Sequence, residues 1–350
     1  MGFLKANNVS LVGLAASVPK GRVDNLLDPN IQDPEKLVKS TGIRYRHIAN
    51  DNVCTSDLCI DAARNLIDRL CWNPLEIDCV LFVTQTPDYI LPATSNKIQN
   101  ALGISKDAFC MDISLGCSGY VYALSVCASL MQNGSLKRGL ILAGVTISKL
   151  CPVTDKSTYP LFGDAGTATA LAFDEKASPI LFHFGSDGAG YNAIIVEDGG
   201  FRNPTNHESF QKVNYGDGIE HSRLQLHLEG MDVFSFAINS APNSVNQLLQ
   251  YGGLVKDEIS YFIFHQANLF MNERIRKKLS LSVEQVPYSL YDYANTSSAT
   301  IPLTLLKTLI SRAAIDKVPI IGCGFGVGLS WGSFYTELNN IILSEINNFE

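Results

Sequence analysis

A helix, a turn and a buried strand follow one another twice along this chain at nearly constant spacing, and that duplication limits the possible folds more than any other feature. The first copy runs from a helical stretch at Ser56 to Leu70, through Asn73-Pro74 and Glu76-Ile77, into the apolar run Cys79 to Thr84. The second runs from Ala241 to Leu249, through Gly252-Gly253 and Glu258-Ile259, into Tyr261 to Phe264, with an offset of 258 − 76 = 182 residues. The next units match as well. Ser118 to Met131 reads as a buried helix before the strand Gly139 to Val145, and Ala299 to Arg312 as a helix before Val318 to Gly322. Continuous apolar strands are buried on both faces, so the pattern predicts an α/β protein with a mostly parallel or mixed sheet covered by helices. The halves divide at 1–175 and 176–350, after the strand Ala168 to Phe173. Residues 185–224, rich in Gly, Asn and Asp, lack clean periodicity and read as an insertion near the site, since a loop of that length is usually a lid or poorly ordered.

Composition removes several classes of function. With 46% hydrophobic and 17% charged residues the chain can build a large core. Its 27 Lys and Arg against 34 Asp and Glu give a net charge of −7, which argues against a nucleic-acid binder. No apolar run is long enough to span a membrane, and Met1 to Ser10 lacks the pattern of a secretory signal, so the chain reads as soluble and cytoplasmic. Nine cysteines without a Cys-x-x-Cys pair read as buried free thiols, except where one opens a helix.

Cys117 is that exception. Phe109 to Ile113 reads as a short strand, and Gly116-Cys117-Ser118-Gly119 turns directly into a helix that is apolar nearly all round. Small neighbours allow a sharp turn that brings the thiol to the helix N-terminus, where the dipole and free N–H groups lower its pKa and favour the nucleophilic thiolate. Cys is also a common small core residue, so the motif alone leaves both readings open. His265, in His265-Gln266-Ala267-Asn268, follows the strand Tyr261 to Phe264 and stands at a strand's carboxyl end, where open α/β sheets place ligands. The plain alternative is a histidine capping the next helix. Asn295, in Ala294-Asn295-Thr296-Ser297-Ser298, occupies the position in its half that Cys117 occupies in the other, and an ordinary N-cap is its plain alternative. Gly322 to Gly328 is a glycine-rich strand exit that opens no helix, so it is not a dinucleotide fingerprint. A turn offering N–H groups to an oxyanion fits it better.

Taken together, Gly116-Cys117-Ser118-Gly119, His265-Gln266-Ala267-Asn268, Asn295-Thr296-Ser297 and Gly324-Phe325-Gly326-Val327-Gly328-Leu329-Ser330-Trp331-Gly332 resemble the type III β-ketoacyl-acyl-carrier-protein synthases of the thiolase fold. Thr41-Gly42-Ile43-Arg44, Arg46-His47-Ile48 and Phe162-Gly163-Asp164-Ala165-Gly166 resemble further fixed segments of that family. The resemblance spans almost the whole chain. It implies a duplicated five-layer αβαβα fold, a homodimer, and a catalytic set of Cys117, His265 and Asn295. Cys117 would take the acyl group from an acyl thioester on coenzyme A or a carrier protein. His265 and Asn295 would hydrogen-bond the enolate formed when malonyl-carrier protein loses carbon dioxide, and the N–H groups of Cys117 and Val327 would hold the oxyanion on the acyl carbon. No metal or redox cofactor is implied. The product would serve fatty acid synthesis or a specialised acyl pathway. Transfer from Cys117 to an oxygen or nitrogen acceptor is the alternative chemistry, and a non-catalytic partner subunit the alternative class.

The family pattern also implies that Leu91, Phe325, Lys36 and Lys156 meet the substrate. Lys36 and Lys156 stand where the family stacks a Trp and an Arg on adenine, and Ser40 where it has an Arg near the phosphate. Two flexible ammonium groups cannot reproduce that planar sandwich. Phe270 replaces the Arg that receives the phosphopantetheine carrier, while Arg274, Lys277 and Lys278 share one helix face. That face is either solvated or a docking patch for an acidic carrier, and the second is expected here. Leu91 falls where the family sets acyl-chain length across the dimer.

Overall fold

The computed structural model describes residues 2–312 and 315–349. Two sheets carry the chain. The six-stranded sheet has the order Ile342–Phe349, Val9–Pro19, Ala165–Phe173, Arg138–Val145, Cys79–Val83, Phe109–Ile113. The five-stranded sheet has the order Gly2–Ala6, Ile180–Ser186, Ser330–Leu338, Val318–Gly326, Tyr261–Phe264. Cys79–Val83 runs parallel to Arg138–Val145, and Tyr261–Phe264 parallel to Val318–Gly326. Each pair continues antiparallel into the next two strands. The duplication is therefore visible strand by strand. The outermost strands are exchanged: the first strand of the chain lies in the five-stranded sheet and the last in the six-stranded one.

Helices Gly119–Met131 and Thr300–Leu309 lie between the sheets. Tyr120, Leu124, Leu303 and Leu306 share one core with Leu81 and Ile141 of one sheet and Phe182 and Phe334 of the other. A helix buried on all sides must be apolar all round, which is what Tyr-Val-Tyr-Ala-Leu-Ser-Val-Cys supplies. Helix Thr55–Arg69 covers the outer face of the six-stranded sheet through Cys59, Ala62, Ala63 and Leu66. Helices Gly230–Gly252 and Leu269–Lys278 cover the outer face of the other through Ala237, Ala241, Val245 and Ile275. The result is the five-layer αβαβα arrangement.

Residues 185–224 are built rather than structureless. They contain the hairpin Lys212–Gly216 with Ile219–Ser222, and Ile194–Ile195 pairs with His227–Leu228 just beyond. Helix Gly230–Gly252 extends well upstream of the predicted Ala241, with Pro242 inside it.

Candidate active site

The two central helices begin beside one another, and their N-termini carry Cys117 and Asn295. Cys117 is buried, and its Sγ lies 3.6 Å from the Ser297 hydroxyl. Gly326 allows this packing: a β-carbon there would stand 2.9 Å from the sulfur, at a φ of 156° that L-residues rarely adopt. The strand exit thus lies directly over the thiol, and the N–H groups of Cys117 and Val327 are directed at it. Burial nevertheless pushes the Cys117 thiol up; the Ser297 hydroxyl and these two N–H groups oppose the rise without cancelling it. The N–H groups at the helix start lower the thiol as expected, but burial outweighs them.

His265 is buried, and its Nδ1 lies 2.8 Å from the Thr300 hydroxyl. Thr300 Oγ1 in turn donates to the Ser297 carbonyl at 2.7 Å. The threonine's single proton is used there, so its oxygen accepts from His265 Nδ1–H and leaves Nε2 as the unengaged nitrogen. Burial drives the ring down to about 3, with the Ser297 backbone opposing, so His265 is a neutral imidazole. Phe325 meets the ring edge to face, with centroids 5.4 Å apart. The helix after His265 is capped by Asn268, whose Oδ1 accepts from Met271 N–H at 2.8 Å, so His265 is free of the capping role.

Asn295 forms a turn just before the short helical segment Ser297–Ala299, whose N-cap is Thr296: its Oδ1 accepts from Ser297 N–H at 2.9 Å. That bond fixes the amide and turns its NH₂ end outward as a donor. Its backbone is held by Leu161 and Gly163, at 3.0 and 3.1 Å. Asp164, fully buried, ties this segment down by accepting from Ala49 N–H and from Ser148. The glycine-aspartate segment recognised in the sequence is thus the mount for Asn295.

Cys117, His265, Asn295, Phe325 and Val327 line one cavity of about 230 Å³. Lys36, Ser40 and Lys156 line a larger outer cavity of about 810 Å³ together with Asp217 and Gly218 of the insertion hairpin. Ser157 borders both cavities. Of these two, the smaller reaches the nucleophile. The insertion also supplies Ile194 to the inner wall. Leu91 lies outside, 82% exposed, beside exposed Tyr89 and Ile90. Arg274 and Lys277 are exposed on helix Leu269–Lys278, and Arg274 sits over the Phe270 ring, which stacks on Phe234. Lys278 is engaged, donating to the Ile238 carbonyl and to Asn239 Oδ1, so the free basic face is narrower than the sequence implied. Among the described residues no group of three or more His, Cys, Asp or Glu is disposed to hold a metal ion, and no helix is long and apolar enough to cross a membrane. Ser297 and Thr300 were not singled out in the sequence, because their roles depend on contacts with Cys117 and His265 that no local pattern records.

Residues 111–188 match the family described as 3-oxoacyl-[acyl-carrier-protein] synthase III, and residues 249–338 match its C-terminal domain. The chain is 33% identical over 328 residues to the β-ketoacyl-[acyl-carrier-protein] synthase III of Campylobacter fetus subsp. fetus, covering 93% of this chain and 96% of that one. Its structure superposes on a 3-oxoacyl-(acyl-carrier protein) synthase of Burkholderia xenovorans with a TM-score of 0.92 and 36% identity, covering 99% of each chain. A further crystal structure of a 3-oxoacyl-(acyl-carrier-protein) synthase III gives a TM-score of 0.89 at 33% identity, over 94% of this chain and 99% of that one. With the duplicated five-layer fold and near full-length similarity agreeing, this chain belongs to the β-ketoacyl-acyl-carrier-protein synthase III family of thiolase-fold enzymes.

Proposed function

We propose that this protein is an acyltransferase of the 3-oxoacyl-[acyl-carrier-protein] synthase III type, which condenses an acyl group carried on Cys117 with malonyl-carrier protein. The observation that carries the reading is the convergence of a buried thiol, a neutral imidazole and an outward-turned amide donor on one small cavity. In the first half-reaction Cys117 Sγ bonds to the thioester carbon, the donor's carbon–sulfur bond breaks, and the thiol proton leaves on the departing thiol. The His265 Nε2 lone pair is the proton carrier for this step, as the thiol is not ionised at rest. In the second, the malonyl carbon–carboxylate bond breaks and carbon dioxide departs. The electron pair enters an enolate whose oxygen takes hydrogen bonds from Asn295 Nδ2 and from His265 in its neutral Nε2–H tautomer, in which Nδ1 accepts from the Thr300 hydroxyl turned away from the Ser297 carbonyl. The enolate carbon then attacks the acyl-Cys carbonyl, whose oxyanion is held by Cys117 and Val327 N–H. Collapse expels the Cys117 thiolate, which takes up one proton. The products are a 3-oxoacyl thioester, carbon dioxide and free thiol.

The finer assignments form part of the same proposal. The acyl donor is carrier-bound, because Lys36 and Lys156 line the outer cavity where an adenine clamp would require flat side chains. Arg274 and Lys277 dock the acidic carrier. The enzyme works in the cytoplasm as a homodimer, with the exposed run Tyr89 to Leu91 as the apolar patch that pairs copies and Leu91 entering the partner's acyl pocket. Its halves are 1–175, with the nucleophile, and 176–350, with His265 and Asn295. The test separates the half-reactions. Asn295→Ala should abolish 3-oxoacyl product while Cys117 still accepts the acyl group, and His265→Ala should in addition slow acylation by removing its proton carrier, whereas equal loss of both steps in the Asn295 variant would contradict the reading.

A further inference from the structure

Gln85 is the one polar side chain of the inner cavity with no task. The wall around Cys117 is largely apolar, built from Ile147, Phe162, Ile194, Leu226, Leu228 and Val327. Each other polar group on it is occupied or already assigned. Ser157 donates to Asp155, Asn268 caps its helix, Ser297 faces the sulfur, and His265 and Asn295 serve the enolate. Among the described residues, no hydrogen bond is made to the Gln85 carboxamide.

Its placement is fixed from both sides. Gln85 follows the strand Cys79–Val83, and its neighbours Thr84 and Thr86 are turned into a hydroxyl cluster with Thr55 and Thr146. The carboxamide lies against Gly116, where any β-carbon would overlap its oxygen. Gly116 precedes the nucleophile. An acyl group on Cys117 therefore begins its path beside an unpartnered amide in an otherwise apolar wall. A plain saturated chain would strip water from that amide and return nothing, which is unfavourable; an acyl hydroxyl takes a bond from the amide NH₂ and gives one to its oxygen.

We propose that Gln85 is a specificity determinant that hydrogen-bonds a hydroxyl group carried near the thioester end of the acyl donor, so that this enzyme prefers hydroxyacyl over unsubstituted acyl groups. The inference rests on the condensing function and on Cys117 as its nucleophile, and adds the substrate class. It is tested by the rate of Cys117 acylation, read by intact mass, with 3-hydroxybutyryl and butyryl groups on the same carrier. Wild type should favour the hydroxyacyl donor by about tenfold or more, the scale set by one net neutral hydrogen bond. Gln85→Met, close in shape but without an amide, should bring the two rates together chiefly by speeding butyryl transfer. Equal rates in wild type, which would mean that water satisfies the amide, overturn the proposal even if the variant does not fold. An undiminished preference in Gln85→Met overturns it too. Absence of any adduct on Cys117 overturns both this inference and the condensing function beneath it, whereas a butyryl adduct formed as fast as the hydroxybutyryl one removes only the role of Gln85.

Discussion

Replacing His265 with Gln should make the protein less sensitive to acid. His265 sits near 3 in the folded state because burial penalises the imidazolium, whereas an unfolded chain takes up that proton at about 6.5. Below 6.5 the unfolded state therefore binds a proton that the native state refuses. Stability from this group is complete above 6.5 and is lost progressively as pH falls towards 3. From 6.5 down to pH 5 the interval is about 1.5 units at about 1.36 kcal/mol each, a loss of about 2 kcal/mol. His47 and His183 are also held down by burial and add losses of the same sign, so the absolute slope is not diagnostic. The difference between wild type and His265→Gln is. Urea unfolding followed by tryptophan fluorescence, at pH 7.5 and 5.0 and one protein concentration, should show the variant losing about 2 kcal/mol less than wild type. Equal losses would refute the reasoning, since His265 would then titrate near its ordinary value and could not rest as a neutral base beside a protonated thiol.

Thr300→Val should slow condensation roughly 10- to 100-fold by leaving His265 Nδ1–H without an acceptor, with Thr300→Ser restoring most of the rate; an unchanged condensation rate would remove Thr300 as the positioning residue. Charge reversal at Arg274 and Lys277 to Glu should erase a preference for acyl-carrier over acyl-CoA donors at low salt, and in wild type the same preference should fade as salt rises past about 0.1 M, where exposed charges are screened beyond roughly 10 Å. A preference insensitive to both would place docking elsewhere. Leu91→Asp should lower the dimer population in light scattering, since it puts a charge into an apolar contact patch, and an unaltered mass would exclude that patch as the interface.

Much of the fold is written locally. Cys79–Val83 and Tyr261–Phe264 are continuous apolar runs, and Gly119–Met131 is apolar all round, so their burial follows from composition alone. The exchange of Gly2–Ala6 and Ile342–Phe349 between sheets is not legible, because long-range pairing leaves no mark on local periodicity. The helix read from Ala241 begins at Gly230, and Pro242 lies buried inside it rather than in its first turn. At the site, Cys117 stood out by its small neighbours, and Asn295 by its place before a helix, where its Oδ1 closes a turn on Ser297 N–H rather than capping the helix. The bond from Lys278 to Asn239 joins two helices, so no pattern along its own helix marks it. The thiol's upward shift was missed because a helix start predicts the dipole but not the closure of Gly326 and Val327 above it.

In the proposed mechanism, Cys117 holds an acyl group which leaves by carbon–carbon bond formation coupled to decarboxylation. The most direct measurement loads the enzyme with one acyl thioester, isolates the adduct, locates it by peptide mass, and then adds malonyl-carrier protein labelled in its free carboxylate. The adduct should lie on Cys117 alone, and its discharge should release one labelled carbon dioxide and one 3-oxoacyl thioester per acyl group lost. Discharge to an oxygen or nitrogen acceptor without carbon dioxide, or an adduct on another cysteine, would contradict it.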